Sequence, residues 1–122
     1  MKMQAGTYYI GDLCYVMHDR WGEFCDATID GTSVKDGVFV LLDGCVVASF
    51  TTAYGDGTYE DFAGNSYPVD AGLIGCIKMS DIAESERGNV EGCGNMFTFE
   101  DDFEVGSRDG VITFGGVTID TN

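Results

Sequence analysis

Short apolar runs alternate with glycine- and acid-rich breaks along this chain, and only one segment carries the spacing of a helix. Residues 7–10 (TYYI) read as a β-strand, because branched and aromatic side chains suit a pleated surface, and Gly11 and Asp12 end it. Leu13, Val16, Met17, Trp21 and Phe24 then recur every three or four positions, the spacing of one helix with a buried face, which Asp12 is placed to cap. Residues 37–42 (GVFVLL) and 45–50 (CVVASF) flank Asp43 and Gly44, a dipeptide suited to a two-residue hairpin. Residues 58–62 and 66–70 meet at a turn marked by Gly64 and Asn65, and 73–79 (LIGCIKM) read as a central strand. Residues 80–95 are polar, with Ser80 and Asp81 as caps for a short helical turn, and read as a mobile connection. Strands follow at 96–100, in a hairpin across 106–110, at 111–114 and at 117–120. In Phe97, Phe99, Phe103 and Val105 the alternation is that of a sheet with one wet face.

This pattern predicts one α+β domain over residues 1–122, mainly antiparallel β, built as a sandwich or partly open barrel with one amphipathic helix packed against it. Alternating β and α units are absent, which argues against a doubly wound parallel sheet. A length of 122 residues with 44% hydrophobic content suffices for a real core.

Charge changes the picture most. Asp and Glu number 21 against 6 Lys and Arg, a formal charge of -15, and no basic residue lies between Lys35 and Lys78. A field of that sign repels phosphate backbones and anionic membranes, so direct nucleic-acid or membrane binding is disfavoured, whereas basic proteins and divalent cations are favoured. The plainer alternative is that acidity keeps a small protein soluble. The five cysteines are irregularly spaced, without a zinc-knuckle pattern, and read as reduced thiols in a cytoplasmic protein with no secretory signal and no membrane span.

Four constellations are chemically suggestive. Asp56, Glu60, Asp61 and Asp70, with carbonyls of the loop at 55–57, are candidate oxygen ligands for Ca2+, or else solvated hairpin tips. Cys14 and His18 lie four apart, hence on one face of the expected helix, as a thiol and base of a Cys-dependent hydrolase; the alternative is an exposed or capping histidine. Tyr54 and Tyr59 either border a carbohydrate or small-ligand groove beside the 54–70 acidic loop or staple that loop to the sheet. Glu100, Asp101, Asp102 and Glu104 form the densest acidic run, either a partner surface or a charged, aggregation-resistant strand edge. Glycine-rich sheet edges also leave a homodimer open.

Three runs, YYIGDLCYV at 8–16, TAYGDGTY at 52–59 and VDAGLIGCI at 69–77, resemble those of small uncharacterised proteins from phages and bacteria. The resemblance covers roughly the first two thirds of the chain. It implies a shared fold and a phage or bacterial cytoplasmic origin, and no catalytic residue. In that setting the charge predicts a small acidic, non-enzymatic accessory or binding protein, a DNA mimic for a basic host protein. The alternatives are the cation-dependent ligand binder and the hydrolase.

Overall fold

The computed structural model describes residues 1–122. Thirteen strands form in chain order: β1 (Lys2–Met3), β2 (Gly6–Gly11), β3 (Ile29–Asp30), β4 (Ser33–Val34), β5 (Gly37–Val40), β6 (Val46–Thr51), β7 (Gly57–Glu60), β8 (Ser66–Val69), β9 (Leu73–Lys78), β10 (Gly94–Phe99), β11 (Phe103–Arg108), β12 (Val111–Phe114) and β13 (Val117–Asp120). Every ladder is antiparallel. A five-stranded sheet runs β10-β2-β9-β6-β5, a four-stranded sheet runs β1-β11-β12-β13, and β3-β4 and β7-β8 are separate hairpins. The fold is mainly antiparallel β with two short helices, and its sheets are not closed into a barrel.

The two sheets enclose the larger core. Tyr8 and Ile10 of β2, Ala48 and Phe50 of β6 and Ile74 and Cys76 of β9 face Val105, Ile112, Phe114 and Ile119. Tyr9, Val47 and Ile77, one position out of phase, bury themselves on the opposite face against Leu13, Val16, Met17, Phe24 and Ile82. The three middle strands are therefore covered on both sides, which is why they read as almost continuous apolar runs, with β9 at the centre.

The expected single helix over 13–24 is broken. A 3-10 turn at Leu13–Tyr15 and another at His18–Arg20 precede a short helix α1 (Trp21–Thr28), and a second short helix, α2 (Val90–Cys93), is itself distorted at Glu91 and Gly92. The apolar spacing was satisfied without a continuous helix, because Leu13, Val16 and Met17 all reach the sheet from successive turns. Asp12 O accepts both from Tyr15 N within the first turn (3.3 Å) and from the Tyr9 hydroxyl (2.9 Å), and Tyr15 O accepts from Asn89 Nδ2 (3.0 Å). The segment 80–95, expected to be loose, forms 3-10 turns at Met79–Asp81 and Glu84–Asn89, fastened by that Asn89 bond and by Arg87 Nε donating to Ile82 O (3.1 Å).

The turn between β5 and β6 also differs from expectation. Gly44 N donates to Leu41 O and Leu41 N to Cys45 O, so the loop comprises Leu42, Asp43 and a left-handed Gly44 (φ 88°), a three-residue hairpin. The two-residue Asp-Gly hairpin occurs instead at Asp109 (φ 53°) and Gly110 (φ 81°), between the paired Arg108 and Val111. No helix is long and apolar enough to cross a membrane.

Glycine substitutions test the packing between β2, β6 and β9. A Cβ on Gly75 meets the Ala48 carbonyl and lies 2.8 Å from Leu13 Cδ1, so Gly75→Ala should lower stability by about 3 kcal/mol. Gly22→Ala, in α1 with nothing nearby, should raise it by about 0.5–1 kcal/mol, both read from urea unfolding midpoints.

Candidate functional site

The three glycine- and acid-rich runs, separated by tens of residues, meet at one end of the five-stranded sheet. Asp12 leaves β2 with its side chain fully buried. Its Oδ1 accepts from Cys14 N (2.9 Å), capping the first 3-10 turn, and its Oδ2 accepts from Asp70 N (2.8 Å) and Ala71 N (2.6 Å), gripping the turn between β8 and β9. A carboxylate this buried is tolerable only when its lone pairs are filled, and these three amides fill them. The gripped turn continues into Gly72 (φ 72°), whose carbonyl accepts from Thr52 N (3.0 Å). Thr52 Oγ1 and Tyr59 Oη both donate to Gly55 O (2.6 and 2.8 Å), closing the 52–59 loop on itself. A Cβ on Gly72 would lie 3.8 Å from Gly55 Cα, so the two loops touch through glycine backbone.

The electrostatics here preserve protons. Burial first, then a hydrogen bond to Asp12, pushes the Cys14 thiol well above its ordinary pKa, and burial together with a bond to the Asp70 carboxylate does the same for the Tyr15 hydroxyl. Cys14 is thus a neutral thiol beside an anion, the reverse of what a nucleophile needs. The arrangement positions backbone and presents an acidic rim: Tyr54 (76% exposed), Asp56 and Asp70 stand at its surface.

Several expected groupings do not form. Cys14 and His18 share no helical face, since they sit in separate 3-10 turns, and His18 Nδ1 pairs with the buried Glu86 (3.0 Å), which also accepts from Asn89. Asp56, Glu60, Asp61 and Asp70 do not come together as a metal-holding cluster. Asp61 turns inward and accepts from Ala63 N, Asn65 N, Asn65 Nδ2 and the Tyr67 hydroxyl (2.7 Å), which makes it the organiser of the β7-β8 turn. Tyr59 staples its loop, as its bond to Gly55 shows, while Tyr54 is free. In the acidic run, Asp102 accepts from Ala5 N (2.9 Å) and Glu104 pairs with the terminal ammonium of Met1 (3.1 Å), and Glu100 and Asp101 stand exposed on the bend between β10 and β11.

Sequence reasoning found Asp12 as a cap but missed its grip on 70–71. The signal was its setting, an acid flanked by Ile10, Gly11 and Leu13 in a run otherwise fit for burial. No family model, curated protein or solved structure matches the chain.

Asp12→Ala leaves three amides unpartnered in a buried place and should cost about 3–5 kcal/mol, measured by chemical unfolding. Cys14, although part exposed, should react slowly with a thiol reagent at pH 8 and reach the free-thiol rate only in denaturant. Burial alone would raise the Asp61 carboxyl, but its hydrogen bonds, led by Tyr67, hold it below the usual value. Its contribution to stability is therefore complete above the unfolded carboxyl pKa of about 4 and is lost as pH falls through the lower folded value. Asp61→Asn should remove that part of the acid limb from the stability-pH curve.

Proposed function

We propose that this protein is a small acidic, non-enzymatic binding module of phage type, which recognises a basic protein surface by displaying carboxylates as DNA displays phosphates. The observation that carries this reading is how few of the carboxylates have a basic side chain beside them. Five carboxylates, Glu23, Asp30, Asp43, Glu104 and Asp109, lie within 4.0 Å of a cationic group, Glu86 lies beside His18, and Asp12 and Asp61 are buried. The remaining carboxylates among the 21 meet solvent with nothing to neutralise them. Such a surface steers a cationic partner over a Debye length of about 8–10 Å and weakens as salt rises.

Glu100 and Asp101 are the natural leading edge, because they occupy one exposed bend and hold no other chain segment in place. Sparing that bend a structural duty lets it be tested without unfolding. The cytoplasm is the compartment this reading requires, since its free thiols and a basic DNA-binding partner belong there.

Affinity capture from a host lysate should return a basic DNA-binding protein whose retention falls steeply between low and physiological salt and is competed by duplex DNA. The double substitution E100K/D101K should weaken that retention about tenfold or more with an unchanged melting temperature. A partner retained equally at all salt concentrations argues against the reading.

A further inference from the structure

The six basic side chains are distributed unevenly between paired and unpaired. Arg20 bridges Glu23 and Asp43, Lys35 approaches Asp30, and Arg108 lies beside Asp109. Arg87 donates to the Ile82 carbonyl. Lys2 and Lys78 alone have neither a carboxylate within 4.0 Å nor a backbone carbonyl, and both line the same cavity, of about 390 Å³, at the open end between the two sheets. In a chain where acids outnumber bases 21 to 6, two unneutralised ammonium groups at one hollow are unexpected unless something anionic completes them.

Lys78 is also built into place. It follows Ile74 and Cys76 on the inner face of β9 and pairs in register with Tyr8, so it is an inward-pointing charge at the mouth of the core. Its stem lies against the Gly6 backbone, 3.4 Å from where a Cβ would be, and its Nζ donates to Gln4 Oε1 (3.2 Å). A neutral Tyr8 hydroxyl, donating to Gln4 O (2.8 Å), shares the wall, with its pKa pushed up to about 12 by burial. Asp81 lines the cavity too, so two ammonium groups share it with a single carboxylate. The hollow thus offers two cationic donors over a partly apolar floor that includes Met3 and Val46.

We propose that this cavity binds a small organic anion whose carboxylate or phosphate group is held by the Lys2 and Lys78 ammonium groups. This site draws on lysines rather than on the carboxylate surface, so it holds or fails separately from the basic-partner reading.

The test is calorimetric titration and thermal unfolding of the full chain with inorganic phosphate and, separately, succinate, each against sodium chloride at matched ionic strength. A saturable heat and a melting temperature that climbs by several degrees to a plateau are expected for at least one probe. Phosphate alone assigns phosphorylated ligands, succinate alone carboxylates, and both the shared anionic chemistry. Lys78→Met keeps the stem on Gly6 and should weaken binding about tenfold or more, Lys2→Met should weaken it as well, and Lys35→Met, ion-paired elsewhere, should leave it unchanged. Responses no larger than those to sodium chloride, or a response undiminished in the K2M/K78M double variant with native circular dichroism, overturn the proposal.

Discussion

One buried carboxylate sets the geometry on which the rest depends. Burying an anion costs several kcal/mol unless its oxygens are saturated, and Asp12 is saturated by amides from two distant stretches of chain. That requirement brings the end of β2 against the start of β9, where Gly11 pairs with Gly75. No side chain fits there: Leu13 lies over Gly75, and Tyr9 closes over Gly11 and Gly94. The Tyr9 hydroxyl then donates to Asp12 O and Cys93 O (both 2.9 Å), which ties the connection after 90 to the same end. Glycines at 11 and 75 follow from this close approach, which leaves no room for a Cβ, whereas those at 55 and 72 serve the left-handed backbone of their turns (φ 72° at each).

Local chemistry was readable where the sequence and the tertiary structure asked for the same thing. Alternation in β10 and β11 and the solid apolar run of β9 announced their burial, since a strand's period is fixed by its backbone. Asp12 was visible as a cap for the same reason. What followed it was not: the spacing of Leu13, Val16 and Met17 is equally compatible with one helix or with a series of turns lying on a sheet. The segment takes the turns, and Tyr9 and Asn89 add bonds from outside to the carbonyls of Asp12 and Tyr15. The Asp-Gly pair at 43–44 was misleading because Leu41 and Cys45, both buried, set the register and pushed the turn one residue earlier.

The candidate site was legible as texture and not as arrangement. Three acid-rich glycine runs marked the right loops, but composition says nothing about which carboxylates point inward. Asp12 and Asp61 do, and both spend their oxygens on backbone and tyrosine donors. Asp56 and Asp70 remain outside. A cation would compete for oxygens that already serve the fold, and the thiol of Cys14 is held protonated by burial first and by Asp12 second.

The distribution of charge then separates structure from recognition. Acids that carry the fold are buried or bonded to backbone, and they are few; the surplus lies on bends and edges where removing it costs the fold little. Selection for solubility alone requires no particular placement of the few cations. Arg20 is nevertheless committed to a two-carboxylate bridge under the β5-β6 turn, while Lys2 and Lys78 are left uncommitted at one hollow in spite of abundant acids. Lys78 occupies a position in phase with the inward-facing Ile74 and Cys76, with its ammonium at the open end of the core. At physiological salt the repulsion of an incoming anion by the remote acids is screened beyond about 8 Å, so the field at that hollow is governed by the groups that line it, Lys2, Lys78 and Asp81. Of the hollows on this surface, it is therefore the one whose lining holds more cations than acids, Lys2 and Lys78 against Asp81.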